Sequence, residues 1–313
     1  MTDATEPQAR TAPLGRGGWL AATLEEHKNA PSIIRAVVLI ALLILMLTTP
    51  GILARPSILS FLTTVSFIGC VAVGMTLITI SGNIMSFSLG ALVGATAMIF
   101  IVAVNIGGAL FGVVAALVFG GLVNAAQGFV VGFVRANPII VSIAATALIY
   151  GTAEAFAERG TIYAHAGTNY GMFRGTVGEI PVEFIGFLCA AGIGQFILVY
   201  TTFGRNIYML GSSFGAAEVV GLKTWRTVTG AYFWSGLLAA FAGIMLAIRY
   251  DSASMTYGVG YEYEAIAAVL VGGTAIKGGE GSVARTLGGA MFIALIEVVL
   301  LLRGFKLEWQ YLI

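Results

Sequence analysis

AVVLIALLILMLTTPGILARPSILSFLTTVSFIGCVAVGMTLITISGNIM, residues 36–85, opens an apolar stretch that runs on to Val134 and holds one charged residue, Arg55. A soluble domain carries about 25% charged residues, because its skin must be solvated. This chain of 313 residues carries 10%, against 58% hydrophobic, and its mean hydropathy is +0.94. No charged skin can be drawn from that composition. The chain therefore reads as an integral membrane protein, with the lipid bilayer as its solvent.

Other classes fall with the same numbers. Sixteen basic and fifteen acidic side chains leave a net charge of +1, which offers nothing to nucleic acid. The two cysteines, Cys70 and Cys189, sit in apolar runs, and the two histidines, His27 and His165, have no ligand-like spacing around them. Neither a disulfide framework nor a metal site is expected, nor any organic cofactor.

Apolar runs of this length that do not alternate are helices rather than barrel strands. Spans are expected at Ile33–Thr49, Ile58–Ile80, Ile84–Val104, Gly108–Phe133, Pro138–Phe156, Val182–Tyr200, Val228–Ile248, Tyr263–Ile276 and Val283–Leu302. The fold class is thus an all-α polytopic membrane protein with about nine transmembrane helices, residues 33–313, behind a polar tail, residues 1–32. Trp19, Leu20, Thr23, Leu24 and His27 fall on one side of a helical wheel, which suits either an interfacial helix or a frayed polar tail.

With the tail in the cytoplasm, one membrane face receives Arg10, Arg16, Lys28, Arg35, Arg135, Arg205, Lys223, Arg226, Lys277 and Arg285. The other receives Arg55, Arg159, Arg174, Arg249, Arg303 and Lys306. The excess of basic residues predicts a cytoplasmic N-terminus. After Lys306, the run Glu308-Trp309-Gln310-Tyr311-Leu312-Ile313 reads as the interfacial start of a tenth helix, with a short interfacial tail as the alternative.

Forty-two glycines suit helices that associate through small residues. Gly90 with Gly94, Gly108 with Gly112, Gly128 with Gly132, and Ala239 with Gly243 are each four apart. A phosphate loop is absent: Gly215 to Lys223 has the wrong spacing, and Gly272 to Ser282 matches no phosphate template. Any ATP must be hydrolysed by another chain, so the protein itself is not expected to be an enzyme.

The longest connection on the tail side is the loop of residues 201–227. Gly211-Ser212-Ser213 offers an N-cap, Gly215 to Val220 a short helix, and Gly221 its stop. Such an element, flanked by Arg205 and Lys223, suits docking into a partner's groove.

Phe203-Gly204-Arg205 through Gly221-Leu222 resembles the coupling loop of ATP-binding-cassette importer permeases of the ribose and monosaccharide type. The likeness continues through Ser235 to Ile244, Gly260 to Val269, Gly272-Gly273-Thr274 and Gly278-Gly279-Glu280-Gly281-Ser282-Val283. Weaker likeness covers Val73 to Leu77 and Asn137 to Val141. Two departures stand out. Gly215 replaces the family's glutamate and Glu218 its following basic residue, while Gly82 to Gly90 lacks the family's aspartate and holds one extra residue.

The resemblance implies a type II importer permease bundle of about ten helices, paired with itself or a related permease. Its partners would be a cytoplasmic ATPase and an extracytoplasmic solute-binding protein, in a bacterial inner membrane. Coupling to the ATPase would fall to Gly211, Ala216, Ala217, Glu218, Gly221 and Lys223, with Glu218 facing a basic residue on the ATPase. Asn83, Asn124, Gln127 and Glu297 are the polar candidates for the pathway. The solute would be a monosaccharide such as ribose. Sister families carry nucleosides or branched-chain amino acids. An autonomous secondary transporter or channel is the alternative of a different class.

Overall fold

The computed structural model describes residues 48–156, 160–165 and 175–305. The expected span Ile33–Thr49 (but for its last two residues), the tail with the interfacial helix expected in it, and the C-terminal run from Lys306 lie outside the described residues. The chain divides into two units after Ile52, and all the described helices belong to the second, from Leu53 onward.

Nine helices are described: α1 (Arg55–Ile80), α2 (Leu89–Phe133), α3 (Pro138–Phe156), α4 (Val182–Tyr200), α5 (Thr202–Ser212), α6 (Phe214–Val219), α7 (Thr224–Tyr250), α8 (Tyr261–Val271) and α9 (Val283–Leu302). Six of these are long and apolar enough to cross a membrane. Pro56, in the first turn of α1, occupies a site where a missing N–H costs nothing. From Val65 to Ile80 every side chain of α1 is buried, so it forms the axis of the bundle.

α2 is two limbs. Gly108 breaks it with φ 82 and ψ 177, a conformation essentially confined to glycine. Phe100 and Gly112 would stand about 18 Å apart along a straight helix. Instead a Cβ at Gly112 would lie 3.1 Å from the Phe100 carbonyl oxygen. The limbs are antiparallel and correspond to the two separate spans expected, although the first starts only at Leu89 and not at Ile84, because residues 81–88 are not helical. The returning limb packs backbone to backbone on α7, where a Cβ at Gly120 would lie 2.9 Å from Gly236 O. The expected small residues Gly90, Gly94, Gly128, Gly132 and Gly243 likewise press on neighbouring segments, as close helix approach in lipid requires. Gly108 instead makes the turn, and a Cβ there would meet nothing within 4 Å, so it forms no packing face with Gly112.

One expected span needs correcting. Tyr263–Ile276 is not a crossing, because α8 has 11 residues, about 16 Å or half the thickness of a bilayer core. Gly260, with φ 96, sets its start, and the glycine pair Gly272-Gly273 ends it.

The loops following α1, α2, α4 and α8 meet at one end, the junction end. At the opposite end two-residue strands pair antiparallel: Ile162–Tyr163 with Ser252–Ala253, and Thr176–Val177 with Ile180–Pro181. Arg249 there bonds Glu183 at 3.3 Å.

Candidate functional site

The junction end is built from α5 and α6. Thr201 caps α5 by accepting from Gly204 N at 3.1 Å, and Ser213 caps α6 by accepting from Ala216 N at 3.3 Å. Each cap satisfies an N–H that a helix start leaves bare. α5 was not expected from the sequence, although its buried residues Gly204, Ile207 and Leu210 follow helical spacing.

Gly211 sits where three segments touch. A Cβ there would strike the Ile80 carbonyl oxygen and the Gly279 amide, so only glycine allows the end of α5 to approach α1 and the loop of residues 272–282. Tyr208 ties the same loop from α5, donating to Gly281 O at 2.8 Å. Burial holds that phenol above its ordinary pKa, with the Arg285 charge pulling the other way.

α6 presents two faces. Ala217 is 0% exposed and packs with Ile78, Val131, Leu210, Val228 and Tyr232. Its small size lets α6 lie against its own bundle. Ala216, Glu218 and Lys223 are exposed, as are Val219 (88%) and Val220 (68%). Gly221, at φ 78, turns the chain toward α7. Glu218 pairs with Arg135 in the turn after α2, so its ionic partner lies in its own chain. The Arg135 guanidinium also lies 5.0 Å from the centre of the Phe214 ring.

Between α6 and the turn of residues 81–83 lies a cleft of about 410 Å³, lined by Asn83, Arg135, Gly211, Phe214 and Lys277 among others. Asn83 donates to Ser81 Oγ at 2.9 Å.

Asn124 and Gln127 lie between helices. Asn124, 0% exposed, donates to Tyr232 O at 2.7 Å. Gln127, 6% exposed, accepts from Ser88 Oγ at 2.7 Å, and Ser88 bonds Ser86 at 3.0 Å. Glu297, half-buried on α9, stands within electrostatic reach of Glu264 on α8. Among the described residues, no group of His, Cys, Asp and Glu could hold a metal ion.

Sequence reasoning missed two features. Arg135 is the first charged residue after Arg55, and that isolation was the available signal. Glu262 falls just outside the expected span, which begins at Tyr263 and is counted as a crossing.

The family described as the branched-chain amino acid transport system / permease component matches residues 57–313. The chain belongs to this family. The ribose import permease protein RbsC of Escherichia coli is 31% identical to this permease over 307 residues, 96% of this chain and 93% of that one. RbsC of Bacillus subtilis is 31% identical over 278 residues, covering 88% of this permease and 86% of its relative. The L-arabinose ABC transporter permease protein AraH of Azospirillum brasilense is 27% identical over 284 residues, 88% of this chain and 82% of its own. No solved structure matches this permease.

Proposed function

We propose that this permease is the membrane-spanning subunit of an ATP-binding-cassette importer and carries a monosaccharide inward by ATP-driven alternating access. The observation that carries this reading is α6, a capped helix whose Val219 and Val220 stand bare beyond the end of the bundle. Apolar side chains on a polar rim suit a partner's groove. The names of relatives, ribose and L-arabinose, supply the substrate class. The family's description, with its branched-chain amino acids, supplies the second reading, and nucleosides are a further option. Family membership sets the autonomous transporter aside.

In this proposal residues 33–313 form the permease domain and residues 1–32 a cytoplasmic tail. The junction end faces the cytoplasm, since it gathers Arg135, Arg205, Lys223, Arg226, Lys277 and Arg285, against Arg55, Arg249 and Arg303 at the other end. ATP hydrolysis belongs to a separate subunit that grips α6. Gly211 and Ala217 anchor α6, Gly221 aims it, and Ala216, Glu218 and Lys223 border the docking face. A solute-binding protein delivers the sugar at the opposite end, and a second permease, identical or related, closes the pathway. Asn83 borders the inner mouth, Asn124 and Gln127 hold the helices around the pathway, and Glu297 lies beside it.

Affinity purification of the tagged full-length chain from its host membrane tests the assignment. Recovery of an ATPase subunit in stoichiometric amount is expected. ATP hydrolysis by the chain alone, or purification without any ATPase, overturns the reading.

A further inference from the structure

Two helix breaks meet inside the bundle. α2 starts only at Leu89, after a non-helical segment that climbs beside α1 until Ser86 N lies 3.3 Å from Met75 Sδ. Met75 stands five residues before the end of α1, roughly 7–8 Å into the bundle. From the opposite side residues 251–260, the strand Ser252–Ala253 followed by a single 3-10 turn at Met255–Gly258, descend to the start of α8 at Tyr261, about 15 Å above its junction-end terminus. The second break packs on the opening turns of α2, just beyond the first, for a Cβ at Gly258 would lie 2.8 Å from Gly94 N.

We infer that Phe87, Tyr150, Glu262 and Tyr263, gathered where the first break meets the start of α8, form a recognition station for a neutral sugar on the wall of the translocation pathway. The inference rests on the importer reading above. The Phe87 and Tyr263 rings stand edge to face, 6.3 Å apart. Thr146 of α3 donates to the Phe87 carbonyl oxygen at 3.1 Å. That contact holds α3 against the first break and brings Tyr150, one turn on, within electrostatic reach of Glu262 and Tyr263. Glu262 Oε2 accepts no hydrogen bond, and Tyr263 is 58% exposed.

Non-helical backbone and free carboxylate oxygens at this depth cannot face hydrocarbon. They occur where protein or a water-filled cavity covers them. Gly90 covers Glu262 Oε2 itself, and beside the half-buried Glu262 and the open Tyr263 the remaining cover is water. The chemistry then selects the solute. Among the described residues every lysine and arginine lies in a loop, in α5 or within a turn of a helix end, so a substrate carboxylate would find no cation at mid-depth. Helix starts could stand in for one, but Glu262 and Glu264 already occupy the first turn of α8. The Glu262 carboxylate also lies directly over Gly90 in the first turn of α2. The carboxylate of an amino acid would find no cation to take it and would be repelled there. A neutral polyol would not: its hydroxyls donate to the carboxylate and its C–H face covers an aromatic ring. One carboxylate and three rings hold a sugar weakly enough to release it.

The test uses the complete importer in membrane vesicles, with Cys70 and Cys189 replaced by alanine, and a membrane-impermeant methanethiosulfonate. Tyr263→Cys should be labelled and protected by D-ribose, L-arabinose or D-galactose, whichever the wild type carries. Leu122→Cys, on the exposed apolar stripe of α2, should stay unlabelled. Glu262→Gln should raise the KM for uptake about tenfold, the loss of one hydrogen bond to a charged group, while ATPase co-purification stays at the wild-type level. Failure to label Tyr263→Cys places this face in lipid and overturns the inference, whatever the solute. So does unchanged uptake in both Glu262→Gln and Tyr263→Ala. If the wild type carries none of the sugars, the importer reading of the substrate fails and the sugar assignment with it, while labelling still decides whether the face is wet.

Discussion

Arg135, in the turn that closes α2, pairs with Glu218 on α6, so the expected docking helix is tied to the bundle by a residue 83 positions away. Arg135 adopts φ 59, a left-handed conformation that costs a non-glycine residue roughly 1–2 kcal/mol. A residue that costs stability where it stands, and whose charge reaches across to α6, serves the position of that helix.

Arg135→Gly separates the two effects. The backbone strain goes, while an exposed ion pair worth about 0.2–1 kcal/mol is lost. Thermal stability of the purified chain should hold or rise slightly, and ATP-driven uptake per ATP hydrolysed should fall. A drop in stability with full coupling would contradict this role.

Ala217 and Val219 should respond in opposite ways. Ala217→Glu forces a carboxylate into a fully buried contact with Ile78, Val131 and Tyr232, a penalty on the order of 3 kcal/mol. It should lower the yield of folded chain. Val219→Glu, at a position 88% exposed, should leave yield unchanged and abolish ATPase pull-down. Equal pull-down by Val219→Glu and wild type would remove α6 from the docking face.

Gly108→Ala tests the hairpin. Its φ of 82 and ψ of 177 lie where only glycine rests comfortably, so alanine should cost about 1–3 kcal/mol. Nothing lies within 4 Å of the added methyl group, so the whole loss would be conformational. The melting temperature in detergent reads it.

Gln127→Leu leaves the Ser88 hydroxyl without its 2.7 Å acceptor, a loss of about 1–3 kcal/mol in a buried site. Stability should fall while the KM for sugar stays put, since Gln127 is 6% exposed. A shifted KM with unchanged stability would place Gln127 on the pathway.

The legible part of this fold was local. Pro138–Phe156, Val182–Tyr200 and Val283–Leu302 have the same bounds in sequence and structure, because each apolar run is closed by proline, charge or polar residues. α8 was misjudged because hydropathy continues through Ala275-Ile276 although Gly272-Gly273 has already ended the helix. That error left Glu262 just outside the span and Glu264 unremarked within it, although both stand in the first turn of α8. Ala217 illustrates the other limit. Its smallness was legible, but whether it fits a partner or its own bundle depends on Ile78, Val131 and Tyr232, residues far off in sequence.

The most direct measurement of the central claim is solute accumulation by proteoliposomes holding this permease, its co-purified ATPase and the cognate binding protein. The assay offers D-ribose, L-arabinose, D-galactose, L-leucine and adenosine in parallel. The account predicts that one of the sugars accumulates, and only when ATP is supplied on the side of the ATPase. Accumulation of leucine or adenosine instead, or of sugar without ATP, would contradict it.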